Sequence, residues 1–266
     1  MNKSILLILY LFFSLFFSFS QSNYNIEYEF KDKNDFVGIS NLMIQENRAV
    51  FKILDDRESG IQTNKNSTKK NYVINDELSR FTYSDGDYIH TRIPYRNREI
   101  IYKFQSNLLE WKFTEERKKI KDFSCQKAIL ELNGRTYEVW FTTQIPINFG
   151  PLRLNGLPGL VVEATIDQDF MNFKLLKIKK IESGNSIFNF HKQYFSNKKV
   201  LGYMDYEKLV TRLMTERKVK KLAGVAEMAA KKGITVDVNF SENHSAFTQY
   251  LIDIPKGLVE KLQKIN

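Results

Sequence analysis

The sequence predicts a mainly β protein, a single twisted antiparallel sheet with a C-terminal helical segment packed on it. Three observations favour this fold class. Apolar residues recur at every second position over much of 24–181, as they do in strands with one buried face. An Asn-Gly pair separates two such stretches, and the apolar spacing becomes helical after residue 205. A half-barrel, in which the same sheet curves around the helix, would satisfy the same pattern.

The first third of the mature sequence predicts two strands and a hairpin. Residues 24–30 alternate between aromatic or apolar and polar side chains, and 49–54 is an apolar run. The polar stretch 58–71 predicts a loop. An Asp-Gly pair at 85–86 stands between two aromatic stretches and predicts a hairpin over 81–93.

The clearest local signal is the hairpin centred on Asn133-Gly134. We predict strands over 128–132 and 136–141, because Asn-Gly supplies the positive φ angles that a type I′ turn needs. Two further strands joined by a turn are predicted downstream, the strands over 160–166 and 173–181 and the turn over 167–169.

The last quarter of the chain changes to helical spacing. Asp205 is a suitable N-cap, and the apolar stripe that follows it is offset across 215–218. The segment 205–232 is therefore predicted as one kinked helix or two short ones, with the apolar stripe on the sheet and the basic face in water. Two more strands are predicted near 235–240 and 246–252.

The first 20 residues predict a secretory signal peptide. Lys3 precedes an apolar run over 5–19, and Ser18 and Ser20 place small residues at −3 and −1 of a cleavage point before Gln21. We therefore expect a signal peptide over 1–20 and a single domain over 21–266. The protein is expected to be exported, and to lie in the periplasm or in association with the outer membrane.

Composition and charge exclude several classes of protein. Apolar residues make up 42% of the chain, enough to build a core, and a single Cys excludes an internal disulfide. Lys and Arg outnumber acidic residues by 40 to 31, but nucleic acid is not an expected partner of an exported protein. An acidic protein surface and peripheral contact with an anionic membrane remain open as partners.

No constellation of catalytic or metal-binding residues is evident in the sequence. The three His, at 90, 191 and 244, have no Cys partners at zinc-ligand spacing, and neither Gly-x-Ser-x-Gly nor His-Glu-x-x-His occurs. Cys125 precedes an apolar strand and is expected to be a buried, inert thiol. We expect no catalytic residue, no metal and no cofactor. A hydrolase with a site assembled from scattered residues is an alternative.

The segment 146–159 is rich in Pro and Gly and predicts a shaped turn. It contains three of the five Pro and three of the twelve Gly of the chain. Pro158 presets φ for one turn position, and Gly159 would tolerate the positive φ of the next position in a type II turn. The residues expected to form this structural motif are Gly150, Pro151, Gly156, Leu157, Pro158, Gly159 and Leu160.

This segment also resembles a known family. Gly156-Leu-Pro-Gly-Leu160-Val161 is similar to the signature of the GLPGLI family of exported bacterial proteins, with Val161 in place of the final Ile. Flanking features occur in the family's order: Trp111 with Glu115-Glu116, Cys125-Gln-Lys-Ala128, Gly134-Arg-Thr-Tyr137, Trp140-Phe-Thr142, Ile145-Pro146 and Gly150-Pro151. One departure is Ala49-Val50-Phe51, where a Ser is expected before the aromatic residue.

The resemblance implies a β-rich envelope protein without established catalysis. We expect it to recognise an envelope protein, such as an outer-membrane transport component. The expected contact surface is the loop 146–158, with Phe149, Arg153 and Asn155 as binding residues, because aromatic and Arg side chains are favoured interface anchors. The alternative function is carriage of a lipid or another apolar ligand in a half-barrel.

Overall fold

A computed structural model of the protein describes residues 23–33, 35, 37–54, 80–95, 98–168, 170–181, 194–196 and 198–232. Within these ranges, twelve strands form one sheet and a long helix, α1 (Tyr203–Lys232), follows them. The strands are β1 (Asn23–Asp32), β2 (Val37–Gln45), β3 (Arg48–Leu54), β4 (Phe81–Ser84), β5 (Tyr88–Tyr95), β6 (Arg98–Gln105), β7 (Lys112–Ile120), β8 (Phe123–Leu132), β9 (Arg135–Thr142), β10 (Leu160–Ile166), β11 (Met171–Ile181) and β12 (Leu201–Gly202).

The sheet is open and almost wholly antiparallel. Its strand order is β12-β6-β5-β4-β3-β2-β1-β11-β10-β9-β8-β7, so that β12 and β7 form the edges. Only the two-residue β12 runs parallel to its neighbour, β6. The predicted fold class, an antiparallel sheet with a helix packed after it, is confirmed.

The turns that the sequence predicted lie between the strands that it predicted. Asn133 and Gly134 have φ angles of 57° and 72°, as a type I′ turn requires, and β8 and β9 pair outward from Leu132 and Arg135. The Asp-Gly hairpin joins β4 to β5, and the Asp85 carboxylate accepts a hydrogen bond from the amide of Tyr88 at 2.8 Å.

Three long strands were not predicted, and their sequences explain why. β7 is largely charged because it is an edge strand, paired on one side only, and most of its side chains are exposed. β2 and β6 alternate less regularly, because the sheet is covered on both faces near them. The predicted signal peptide, the loop 58–71 and the strands near 235–240 and 246–252 lie outside the described residues and remain predictions.

Side chains on opposite faces of the sheet belong to different apolar clusters. The first face is the one towards which Ile26, Tyr28 and Phe51 point, and it carries the largest core cluster. The second face is the one towards which Val50 and Tyr83 point, and it is covered by Tyr194, Phe195 and Val200. The alternation of Val50 and Phe51 between the two clusters follows from the two-residue period of a strand.

The helix α1 packs on the first face through its N-terminal turns. Tyr206 and Val210 are buried there, and the Tyr206 ring stacks on that of Tyr102 at a centroid distance of 4.1 Å. Further along, Val219 and Met228 are 56% and 60% exposed. The segment is one helix rather than two short ones, and the prediction that its apolar stripe packs onto the sheet is correct for the first turns only. No described helix is long and apolar enough to span a bilayer.

Candidate functional site

Residues 146–159, which we call the Gly-Pro segment, are folded onto the first face of the sheet as part of the core. Its apolar side chains are at most 5% exposed: Ile147, Phe149, Leu152, Leu154 and Leu157. These side chains pack with the largest core cluster, so the segment fills the face of the sheet. An apolar ligand bound at this face, as the half-barrel carrier requires, would have to displace the segment.

Hydrogen bonds close this segment on itself and tie it to distant strands. The amide of Gly156 donates to the carbonyl of Asn148 at 2.7 Å. The Trp111 indole donates to the carbonyl of Asn155 at 2.8 Å, and the Asn155 side-chain amide donates to the Ser84 hydroxyl at 3.2 Å. Because these bonds cross the face from β4 to the start of β7, the segment is a fixed part of the fold.

The three predicted binding residues are buried in the described conformation. Phe149, Arg153 and Asn155 are 3%, 3% and 6% exposed, and the Arg153 guanidinium lies 5.9 Å from the centre of the Phe104 ring. The three side chains therefore pack inside the protein in this conformation, and their predicted role in binding a partner stays a prediction. Binding by the loop itself remains a prediction.

The glycines of the motif are required for a reason other than the one expected. Gly159 does not have a positive φ; instead, a Cβ atom there would overlap the backbone carbonyl of Thr142. The positive φ belongs to Gly156, at 88°. A Cβ on Gly150 would likewise overlap the carbonyl oxygen of Leu154. Close backbone approach therefore requires two of the three glycines.

A cleft of about 610 Å³ lies on the second face, where four segments meet. Its volume is in the range of small-ligand sites. The β2–β3 turn contributes Glu46, Asn47 and Arg48, and the β4–β5 hairpin contributes Tyr83, Asp85 and His90. The remaining lining comes from β6 and the covering segment: Lys103, Phe195, Ser196 and Val200. We call this site the second-face cleft.

The two turns at the rim of the second-face cleft lie against each other. Gly86 has a φ of 97°, and the Asn47 side chain lies so close that a Cβ on Gly86 would overlap its amide nitrogen. The Arg48 guanidinium pairs with the Glu46 carboxylate at 3.3 Å. The rim is therefore built from polar and charged groups that already have partners on the protein.

Aromatic rings form the floor of the second-face cleft. The His90 ring lies 5.1 Å from that of Phe195 and 6.0 Å from that of Tyr83, measured between centroids. Beside them, the Lys103 ammonium stands 4.5 Å from the centre of the Tyr88 ring. His90 lines the cleft and is half-buried, so part of its ring remains accessible to a ligand.

Burial shifts the pKa values of two groups in the floor. Desolvation lowers the pKa of His90, aided by the positive charge of Lys103 and opposed by Asp85, so the imidazole is neutral at pH 7. Burial and the charge of Asp85 raise the pKa of Tyr83, against the opposing effect of Arg48. The buried Nδ1 of His90 has no hydrogen-bond partner in the part of the chain that the structure describes.

An ionic cluster fastens one wall of the second-face cleft to the sheet. The Glu99 carboxylate accepts hydrogen bonds from Tyr194, from Arg92 at 3.0 Å and from Lys198 at 2.8 Å. Although desolvation raises the pKa of Glu99, these three bonds outweigh it and lower the pKa to about 2. Because Tyr194 and Lys198 flank Phe195 in sequence, Glu99 holds the segment that supplies that ring.

The sequence did not single out the second-face cleft, because its residues come from four separate segments. His90 and Asp85 were noted individually, but nothing in their local spacing joins them to Arg48 or Phe195. Cys125 is buried, as expected, and desolvation raises the pKa of its thiol. Among the described residues, no three His, Cys, Asp or Glu are grouped to hold a metal ion.

Comparison with known proteins identifies a family match and several distant structures. The family model described as "N-glycanase peptide, N-terminal domain" (PNGase F-II) matches residues 35–205, more than half of the chain. Two structures of PNGF-II, in space groups C2 and P21, share 17% identity with the chain at TM-scores of 0.45 and 0.47. These alignments cover 68% and 70% of this chain but only 31% and 32% of PNGF-II.

An uncharacterized conserved protein from Thermus thermophilus is more distant, at 7% identity and a TM-score of 0.39, with 69% of this chain and 91% of that chain covered. No curated protein matches the sequence. The chain therefore spans less than a third of the PNGF-II structures that it matches.

Proposed function

This chain belongs to the family of N-glycanase N-terminal domains, and from that premise we propose that it is a non-catalytic recognition protein of the cell envelope. The observation that carries the proposal is the second-face cleft, an open site with an aromatic floor and a polar rim. A site of this kind binds through shape, stacking and hydrogen bonds.

Recognition is favoured over catalysis by how the cleft's reactive side chains are engaged. Glu46 is paired with Arg48, and Asp85 accepts a hydrogen bond from a backbone amide. A general base needs a partner that orients its ring, whereas the Nδ1 of His90 has none among the described residues. These groups are arranged to hold the cleft's shape.

The location in the envelope rests on the predicted signal peptide over 1–20 and on the resemblance of 156–161 to the GLPGLI signature. The proposed partner is an envelope protein, with an outer-membrane transport component as one candidate. Peripheral contact with an anionic membrane through the basic face of α1 is a lesser part of the same proposal.

Affinity capture from the protein's own cells tests the proposal. The full chain is immobilised as wild type, as Lys103→Met and as Lys118→Met. The two substitutions are matched, because each Lys lies over an aromatic ring: Lys103, which lines the cleft, is 4.5 Å from the Tyr88 ring, and Lys118, which does not, is 4.3 Å from the Trp140 ring. We expect Lys103→Met to weaken capture of an envelope partner about tenfold and Lys118→Met to leave it unchanged. Equal capture by the two variants would contradict the proposal.

A further inference from the structure

The strand β7 is open on one side over its C-terminal half. Among the described strands, β8 is its only neighbour in the sheet. Lys119 lies opposite Ser124 of β8, whose amide donates at 3.1 Å to the side chain of Gln144, just after β9, and therefore faces away from β7. Because the backbone groups of two residues opposite each other both point inward or both point outward, those of Lys119, and of Arg117 two residues before it, point away from β8. Their N–H and C=O groups face the side where another strand could be added.

A bulge, which commonly protects an edge strand from pairing, occurs in β7 only before Arg117. There the strand is out of register with β8. The Thr114 hydroxyl accepts a hydrogen bond from the amide of Glu116 at 3.3 Å, and the Gln126 side chain donates to the carbonyl of Thr114 at 2.8 Å. From 117 to 120 the strand pairs regularly with β8, so the bulge does not protect this part. We call residues 117–120 the β7 edge.

The β7 edge is basic. Arg117, Lys118 and Lys119 are consecutive and exposed, and a further cation, Lys121, follows the strand. Lys118 pairs with Glu163 of β10 at 2.9 Å, whereas Arg117 and Lys119 form no ion pair within the part of the chain that the structure describes. Because these two residues are two positions apart, their side chains lie on the same face of the strand. An added strand with carboxylates at the same spacing would place one opposite each cation.

We infer that the β7 edge binds a short, extended acidic segment of a partner protein as an added strand. Backbone hydrogen bonds at Arg117 and Lys119 hold the segment, and its carboxylates pair with the two side chains. Glu115 and Glu116 before the basic run and Asp122 after it repel acids, so the paired segment is limited to about four residues. A second copy of the chain would set one basic edge against another, which disfavours self-pairing.

This surface is separate from the second-face cleft. In the strand order of the sheet, β7 is at the opposite end from β4, β5 and β6, which line the cleft. The inference therefore goes beyond the proposed function and does not depend on it.

Titration of the full chain with short peptides tests the inference. The probe is a fluorescent peptide with blocked ends, Thr-Glu-Val-Glu-Val-Glu-Thr, which alternates carboxylates with residues that favour strands. One control peptide has Lys in place of Glu. A second control keeps the carboxylates but is N-methylated at each Glu, which removes the strand hydrogen bonds. We expect saturable binding of the probe, at least about tenfold weaker binding of both controls, and slower hydrogen exchange of the Arg117 and Lys119 amides in the bound chain.

Lys119→Glu, with Lys177→Glu as its matched control, locates the site. Both residues are exposed and both substitutions change the net charge equally, but Lys177 lies on β11, an inner strand of the sheet. Lys119→Glu should weaken binding of the probe at least about tenfold, and Lys177→Glu should leave it unchanged. If Lys119→Glu lowers the unfolding midpoint, Lys119→Gln gives the same comparison without a new charge.

Four results would each overturn the inference. Three of them are no saturable binding of the probe, equal binding of either control peptide, and equal affinity of the Lys119→Glu and Lys177→Glu variants. The fourth is protection of the Arg117 and Lys119 amides that grows with protein concentration in the absence of peptide, which would assign the β7 edge to a second copy. Capture of an envelope partner that depends on Lys103 would still support the proposed function after any of these results.

Discussion

The two faces of the sheet are covered by segments of opposite character. On the first face, the segment 146–159 is apolar, and the residues that occupy the core are buried almost completely. On the second face, the segment around Phe195 is fastened by an ionic cluster and leaves a cleft of about 610 Å³ beside it. The first cover completes the core, whereas the second leaves polar groups and ring surface open to a ligand.

This difference shows that a motif that stands out in the sequence need not lie at an accessible site in the folded protein. The Gly-Pro segment is the most distinctive motif of the chain, but its glycines serve close backbone contacts with Thr142 and Leu154. The second-face cleft has no motif at all. If the account is correct, substitutions on the first face should change stability, and substitutions on the second face should change binding.

The largest expected effect is that of Phe149→Ala. Phe149 is 3% exposed and belongs to the largest core cluster, so removing its ring should lower the free energy of unfolding by about 3–5 kcal/mol. Phe113, which is 53% exposed, is the matched control, and Phe113→Ala should cost less than about 1 kcal/mol. Chemical denaturation of both variants measures the difference. Equal, small losses would mean that the segment is a surface loop.

Gly159→Ala should also be severely destabilising, by about 3 kcal/mol. The added Cβ would overlap the carbonyl of Thr142, which is backbone and cannot rotate away. The control is Gly224→Ala, in α1, where a Cβ would have no neighbour within 4 Å. That variant should be unchanged or more stable by up to about 1 kcal/mol, because Ala favours a helix. A Gly159→Ala variant as stable as the wild type would show that the segment can move away from β9.

Glu99→Gln tests whether the ionic cluster holds the segment around Phe195 on the second face. The substitution removes the carboxylate that fastens Tyr194 and Lys198, and it should lower the free energy of unfolding by about 1 kcal/mol, a value reduced for solvent screening of a partly exposed group. We also expect weaker binding at the cleft, because Phe195 loses its anchor. Denaturation of wild type and variant at several pH values measures the effect.

The pH dependence of that effect has a definite sign. The pKa of Glu99 is lowered from 4.5 to about 2 in the folded protein, so its contribution is complete above pH 4.5 and disappears as the pH falls towards 2. The difference between wild type and Glu99→Gln should shrink in that window. Asp35→Asn is the control, since Asp35 pairs with Lys31 in full exposure and should give no measurable change. A difference that persisted at pH 2 would contradict the role given to the Glu99 carboxylate.

The smallest expected effect is a shift in the titration of one imidazole. Desolvation lowers the pKa of His90 below its ordinary value of 6.5, so its protonation should favour the unfolded chain and reduce stability slightly as the pH falls below 6.5. Nuclear magnetic resonance measures the pKa directly, and loss of one signal in His90→Phe assigns it. A pKa at or above 6.5 would mean that the floor of the cleft is hydrated.

Much of the fold could be predicted from the sequence, because its determinants are local. The period-two pattern of 24–30, the Asn133-Gly134 turn and the apolar strand 160–166 each specify an element through neighbouring residues. The edge strand β7 could not be recognised, since a strand paired on one side has no need for an alternating apolar face.

The second-face cleft could not be predicted, because it depends on strand order and on long-range packing. Arg48 and His90 become neighbours only when β4 pairs with both β3 and β5. The burial of Arg153 and Asn155 could not be predicted either, since both residue types are usually exposed and only the fold buries them here.

Amide hydrogen exchange of the full chain, free and bound to its captured partner, tests the central claim most directly. The account predicts that Leu154, Gly156 and Leu160, whose amides donate to backbone carbonyls, exchange slowly in the free protein and unchanged in the complex. New protection on binding should appear around Arg48, His90 and Phe195. Rapid exchange across 154–160 in the free protein, or protection that appears there only on binding, would contradict the account and return the contact surface to the Gly-Pro segment.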